Sequence, residues 1–259
     1  MVSLKSQLKW LVIAQCLTTN LIEDMKMMKK TLLATALLAS LSSVAQAEWT
    51  PSANVALTTD YVWRGVSQSD EDPAIQGGFD IGHSSGFAAG VWASNVDFDD
   101  ASEDDADMEL DIYASFSSEV NDKFGWNVGI IDYIYPGTSD NLDWVEVSAG
   151  AHWGPISGSI NYSNDVFNSD ETGIYYTLGA EHSLDMGIGF HGSVGYYDFD
   201  SKVTGQGNPN SYLDWSLGAN YEYAGFGFDL TYYDTDSDGE DLFDDWADSR
   251  VVFSISKAM

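Results

Sequence analysis

The chain has 259 residues, of which 41 are acidic and 10 basic, for a formal charge of −31. Phosphates would be repelled by such a surface, so nucleic acid is excluded as a partner. High negative charge often signals disorder, but nine tryptophans and fourteen tyrosines indicate a folded chain covered in acids.

Taken in order, the first 47 residues do not read as part of the fold. Residues 27–47 carry Lys29 and Lys30, then the apolar run 32–39, then Ala45-Gln46-Ala47. This is the pattern of a secretory signal peptide, with cleavage expected between Ala47 and Glu48. The apolar run is too short, and too rich in Ser and Ala, for a membrane anchor. Residues 1–26 are read as an extended n-region or a start codon placed too early. The only cysteine, Cys16, falls there. Residues 48–259 therefore contain neither disulfide nor thiol, although export would permit disulfides. They hold five basic and 39 acidic residues, a charge of −34.

Period-two alternation dominates after Ser52. Met108, Leu110, Ile112, Ala114 and Phe116 alternate with Glu109, Asp111, Tyr113 and Ser115. Leu213, Trp215, Leu217, Ala219, Tyr221 and Tyr223 alternate in the same way with Asp214, Ser216, Gly218, Asn220 and Glu222. Successive strand residues face opposite ways, so each strand has one apolar face and one polar face. The pattern predicts twelve strands, near 53–64, 73–83, 86–97, 107–119, 124–135, 143–153, 157–165, 173–183, 187–198, 211–223, 226–234 and 248–257. Five tight connections alternate with six longer ones. An up-and-down antiparallel barrel has that alternation, with short turns at one rim and long loops at the other.

Alternation does not say which face points in. A soluble barrel hides its apolar face, whereas a transmembrane β-barrel shows it to lipid. The second is favoured because the other face is too acidic for a dry core. Tyr61, Trp63, Tyr133, Tyr135, Trp144, Trp153, Tyr196, Tyr197, Tyr232 and Tyr233 also gather near strand ends, as interfacial girdles do.

The stretch 55–98 holds Asp60-Tyr61, Arg64-Gly65, Ser67-Gln68, Asp72-Pro73-Ala74, Gly77-Gly78, Ser85-Gly86-Phe87 and Gly90-Val91-Trp92-Ala93-Ser94-Asn95. On these elements, and more loosely through Tyr133-Ile134-Tyr135-Pro136-Gly137 and residues 248–257, the chain resembles the TorF family of porins, also catalogued as the Gcw_chp family of proteobacterial outer-membrane proteins. The resemblance implies a signal peptide and a pore-forming barrel in the outer membrane of a Gram-negative cell. It brings no established substrate and no catalytic residues. Partners implied by this placement are outer-membrane lipid and lipopolysaccharide, the barrel-assembly machinery, and small solutes or cations. Many such barrels finish on an aromatic residue, whereas this chain finishes Lys257-Ala258-Met259.

With the apolar face toward lipid, the pore-lining residues are Asp60, Arg64, Asp80, Glu109, Asp111, Glu146, Asp214, Glu222 and Asp229, one base among eight acids. Such a lining concentrates cations. The alternative is a barrel plugged by its own side chains, with Arg64 paired to Asp60 or Asp80. In the last long loop, Asp234, Asp236, Asp238, Gly239 and Glu240 resemble the first half of a calcium loop, and Asp245 stands where a bidentate Glu is wanted. Calcium is thus a candidate cofactor, against the plain alternative that aspartate is simply abundant. Residues 97–107, with seven acids in eleven, read as a solvated surface or as a site bridged to lipopolysaccharide by divalent ions. His83, His152, His182 and His191 lack a GxSxG or HExxH context, so no enzyme is expected.

Overall fold

The computed structural model describes residues 49–98, 106–138 and 142–259. The expected signal peptide, its Ala47/Glu48 junction, the segment 1–26 and most of the acidic loop 97–107 lie outside the described residues.

Twelve antiparallel strands close into a barrel. They are β1 (Trp49–Thr58), β4 (Ala74–His83), β5 (Phe87–Asn95), β6 (Met108–Asn121), β7 (Phe124–Ile134), β8 (Trp144–Trp153), β9 (Ile156–Ser163), β10 (Gly173–Ser183), β11 (Ile188–Phe199), β12 (Ser211–Tyr223), β13 (Phe226–Thr235) and β14 (Arg250–Ala258). Two further strands, β2 (Val62–Trp63) and β3 (Val66–Ser67), form a separate hairpin. Each barrel strand pairs with its sequence neighbour, and β1 closes the ring on β14 from Asn54↔Ala258 to Thr58↔Ser254. Where β1 and β14 pair, closure removes the free edges that an open sheet would expose. Strand lengths run from 8 residues in β9 to 14 in β6.

The apolar face points outward. Leu57, Ile75, Leu217 and Val251 are each about 60% exposed, and Ile112, Val147, Ile160, Leu178, Val194 and Leu230 share that face. The buried residues are instead inside and largely polar or aromatic, among them Glu109, Asp111, Glu146, Asp214, Tyr197 and Tyr212. A soluble barrel has the reverse arrangement. Among the described residues no helix is long and apolar enough to cross a membrane, and a crossing by strands needs none.

Two expectations are corrected. The first strand ends at Thr58 rather than continuing to residue 64. Beyond it the chain leaves the wall and enters the lumen, so Asp60 and Arg64 lie on an inserted hairpin. The aromatics grouped as girdles also divide. Trp153, Tyr196 and Tyr232 share the outer face, but Tyr133, Trp144 and Tyr197 form part of a buried cluster inside the barrel, with the half-buried Trp63 packed against it. Alternation at strand ends cannot separate these cases, because an aromatic at the rim is equally at home stacked on a lumenal plug.

Candidate functional site: a hairpin folded into the lumen

The connection between β1 and β4 folds inward at the long-loop rim. At its base, Thr58 Oγ1 donates to the Asp60 carbonyl at 2.7 Å, and the Gln68 amide donates to the Tyr61 carbonyl at 2.6 Å. The buried Asp60 carboxylate gathers the base, accepting from Ser67 Oγ at 2.7 Å, Ser69 Oγ at 3.0 Å and Arg250 Nη1 at 3.0 Å. Arg250 also reaches the carbonyls of Asp245 and Trp246. One arginine thereby ties the hairpin base to the last long loop.

At the tip, Arg64 and Gly65 have φ of 50° and 82°, while Trp63 pairs with Val66. Positive φ at both central residues is the type I′ geometry, whose twist suits a two-residue hairpin. Glycine accepts this readily, whereas arginine carries some strain. The tip fits closely against the wall. A Cβ on Gly65 would stand 2.7 Å from Asp214 Cβ and from Thr235 Cγ2.

Arg64 reaches the wall opposite the strands that carry the hairpin. Its Nη2 donates to Glu146 Oε1 at 2.8 Å and Oε2 at 2.7 Å, and both side chains are less than a tenth exposed. The guanidinium carbon lies 4.1 Å from the Trp63 ring centroid, 4.2 Å from that of Tyr175 and 4.7 Å from that of Tyr197. The Tyr212 hydroxyl donates to the Arg64 carbonyl at 3.0 Å. A desolvated cation–π contact contributes up to about 2 kcal/mol. Stranding one member of a buried ion pair costs about 3–5 kcal/mol. Arg64 thus pins the hairpin across the bore.

Around this pin the loop-side lumen is packed with rings. Tyr133 stacks on Trp144 with centroids 4.4 Å apart, and Tyr197 stacks on Phe199 at 4.1 Å. Nearby, Tyr61 and Tyr135 each donate to one oxygen of Glu109 at 2.7 Å, and Tyr175 donates to Asp214. A cavity of about 170 Å³ remains among these rings, lined in part by Glu109. Toward the turn-side rim the lumen widens and becomes polar. A cavity of about 560 Å³ there is lined by His152, Ser157, Glu181, His191, Ser193 and Ser216, among others. His191 lies 2.8 Å from Asp229, and His152 lies 3.3 Å from Glu119.

Of the nine residues expected to line a pore, Asp80, Glu109, Asp111, Glu146, Asp214, Glu222 and Asp229 lie on barrel strands, on the face opposite the apolar belt. Asp80 accepts from the Tyr113 hydroxyl, and Asp229 accepts from Thr231 Oγ1 at 2.6 Å. Asp60 and Arg64 come from the hairpin, and they do not pair with each other or with Asp80. Sequence reasoning missed Arg250, whose partner Asp60 is 190 residues away.

The acidic last loop forms helix α1 (Ser237–Phe243) and a 3₁₀ turn (Asp244–Ala247). Asp236 is the N-cap, accepting from the Gly239 amide at 3.1 Å. Asp238 and Glu240 lie in the first turn, where the helix dipole favours acids. Asp234 accepts from the Tyr232 hydroxyl, and Asp245 offers its carbonyl to Arg250. Of the five candidate calcium residues, Asp236, Asp238 and Glu240 follow a cap-and-helix pattern, while Asp234 lies near the end of strand β13 and Asp245 lies in the 3₁₀ turn. Among the described residues no group of three or more His, Cys, Asp or Glu side chains converges to hold a metal ion. Elsewhere in the loops, Lys202 donates to Glu171 at 2.5 Å, and this carboxylate raises the lysine above its ordinary range.

Solved structures share this architecture at very low identity. One is "NanC porin structure in rhombohedral crystal form", with a TM-score of 0.52 and 9% identity, covering 80% of this chain and 98% of that one. Another is "KdgM porin in complex with disordered oligogalacturonate", with the same TM-score, identity and coverages. At such identity the likeness extends to the fold alone. No curated protein matches in sequence. Residues 42–259 match the family described as "Bacterial protein of unknown function (Gcw_chp)", and the chain belongs to that family.

Proposed function

We propose that the protein is an outer-membrane porin of the TorF type, passing small polar solutes passively and preferring cations. The observation that carries this reading is the hairpin inside the lumen. A closed barrel with an apolar outer belt suits a bilayer, and a connection folded into its bore narrows the bore. The low-identity porins of the same fold and the TorF resemblance support the same placement. Preference for cations follows from the lining, because the acids of the inner wall outnumber Arg64 and Arg250, and both of these are paired. Three of the four histidines find roles without catalysis. His152 and His191 pair with lumenal acids, and His83 contacts Ser85 and Trp49 on the turn-side rim.

The packing around Arg64 also favours a second reading, a closed structural barrel whose acidic loops engage calcium, or lipopolysaccharide through divalent ions. Planar-bilayer recordings separate the two. Discrete conductance steps, with a reversal potential in a salt gradient on the cation side, support the porin. Silence from the native barrel and from a variant with a shortened hairpin leaves the closed barrel standing, and an anion-side reversal potential removes the selectivity claim.

A further inference from the structure

The cavity of about 170 Å³ on the loop side has the chemistry of a cation cage. Its lining includes Trp63, Tyr133, Tyr135, Trp144 and Phe167, together with Glu109. Glu109 is 2% exposed. Each of its oxygens accepts from a phenol, Tyr61 or Tyr135, and two such bonds favour its ionised form. Of the comparably buried acids, Glu146 and Asp60 are each matched by an arginine, whereas Asp111 and Asp214, like Glu109, form no ion pair among the described residues. Of these three, Glu109 lines the cavity. Glu109 has no basic partner among the described residues. A buried charge without a counter-charge is costly, so a cation entering this pocket is favoured.

The walls show what kind of cation fits. Metal ions of the calcium or magnesium type want a full shell of oxygens, whereas much of this lining, Trp63, Phe98, Leu142, Trp144 and Phe167, has side chains that carry none. An ammonium clothed in methyl groups is weakly hydrated and is attracted to ring faces. The volume is right as well, since a cavity of about 150 Å³ accepts benzene. One wall is held at a conformational cost. Phe167 and Asn168 have φ of 55° and 53°, in the left-handed region that a bulky residue rarely enters. Strain of this kind persists where the surroundings over-determine it, and it clusters at ligand clamps. Here it sets the Phe167 ring 5.4 Å from Trp144 and 6.3 Å from Trp63.

We infer that this cavity binds a small alkylated ammonium compound, with Glu109 as its counter-ion and the rings as its cage. The inference does not depend on whether the barrel conducts, because binding is read in the closed barrel.

The test is titration of the folded full-length barrel, in a maltoside detergent, with tetramethylammonium chloride. Neopentyl alcohol serves as the neutral analogue and sodium chloride as the ionic control. Saturable heat, with matching quenching of tryptophan fluorescence, is expected for tetramethylammonium alone. Glu109→Gln weakens it roughly tenfold or more, while Asp185→Asn, at a distant turn, leaves it unchanged. Should Glu109→Gln fail to fold, Phe167→Leu keeps an apolar side chain, removes one ring face and weakens binding several-fold. Equal binding of neopentyl alcohol overturns the proposal, as does absence of saturable heat in a barrel shown to be folded. Unaltered affinity in both pocket variants overturns it too.

Discussion

The two oxygens of Glu146 on β8 hold Nη2 of Arg64 at 2.7 and 2.8 Å, joining an inserted hairpin to the wall opposite its own origin. Replacing Arg64 by Ala removes both that pair and the contacts to Tyr175 and Tyr197. The buried Glu146 is left without its partner, at a cost of about 3–5 kcal/mol. Urea unfolding in micelles is expected to show this loss. Bilayer recordings are expected to show larger or more frequent conductance steps than the native barrel.

Gly65 offers a separate test of the same insertion. A methyl there meets Asp214 and Thr235 at 2.7 Å, on a backbone with φ of 82°. Gly65→Ala therefore forces the tip away from β12 and β13, and destabilisation of about 1–3 kcal/mol is expected. The far-ultraviolet spectrum of the barrel should be unchanged, because no wall residue is replaced and the tip moves rather than the strands. Protease cleavage confined to residues 59–73 would report the displaced hairpin.

Adjacent residues on β12 test which face meets lipid. Leu217 is 63% exposed on the apolar belt, whereas Ser216 bonds to Ser193 on the other face. Leu217→Lys is expected to cost about 2–4 kcal/mol in bilayer folding assays. Ser216→Lys should fold nearly normally while moving the reversal potential toward anions.

Asp60 and Glu146 each hold an arginine, but their neighbours differ. In Asp60→Asn, Arg250 keeps the carbonyls of Asp245 and Trp246 as acceptors. Among the described residues, Arg64 has no such alternative hydrogen-bond acceptor to Glu146. The loss on Asp60→Asn should then be about 1–3 kcal/mol, clearly below that of Glu146→Gln. Parallel urea titrations of the two variants give the comparison.

The barrel was legible because its signals are local. Met108 to Phe116 alternates on both faces, and the tight and long connections alternate along the chain. The lumenal hairpin was harder to see, because Tyr61, Val62 and Trp63 are all strand-favouring residues and so read as a continuation of β1. A local signal was nevertheless present. Arg64-Gly65, flanked by Val62-Trp63 and Val66-Ser67, has the form of a two-residue turn ending in glycine. The pairings of Arg64 with Glu146 and Arg250 with Asp60 were not legible, since alternation gives the face of a residue but not which distant residue shares its height in the bore. Ring stacking was hidden for the same reason. Tyr133 and Tyr197 belong to the buried interior, whereas Tyr196, one position away, faces outward.

β1 and β4 remain paired along their whole length, up to Thr58↔Ala74. The segment between them starts and finishes at neighbouring points on a wall that is complete without it. It behaves like a cartridge loaded into a finished tube. Residues 59–73 can be exchanged for another sequence, or for a short linker, while every barrel strand keeps its register. A grafted cartridge therefore offers a route to a barrel of chosen bore.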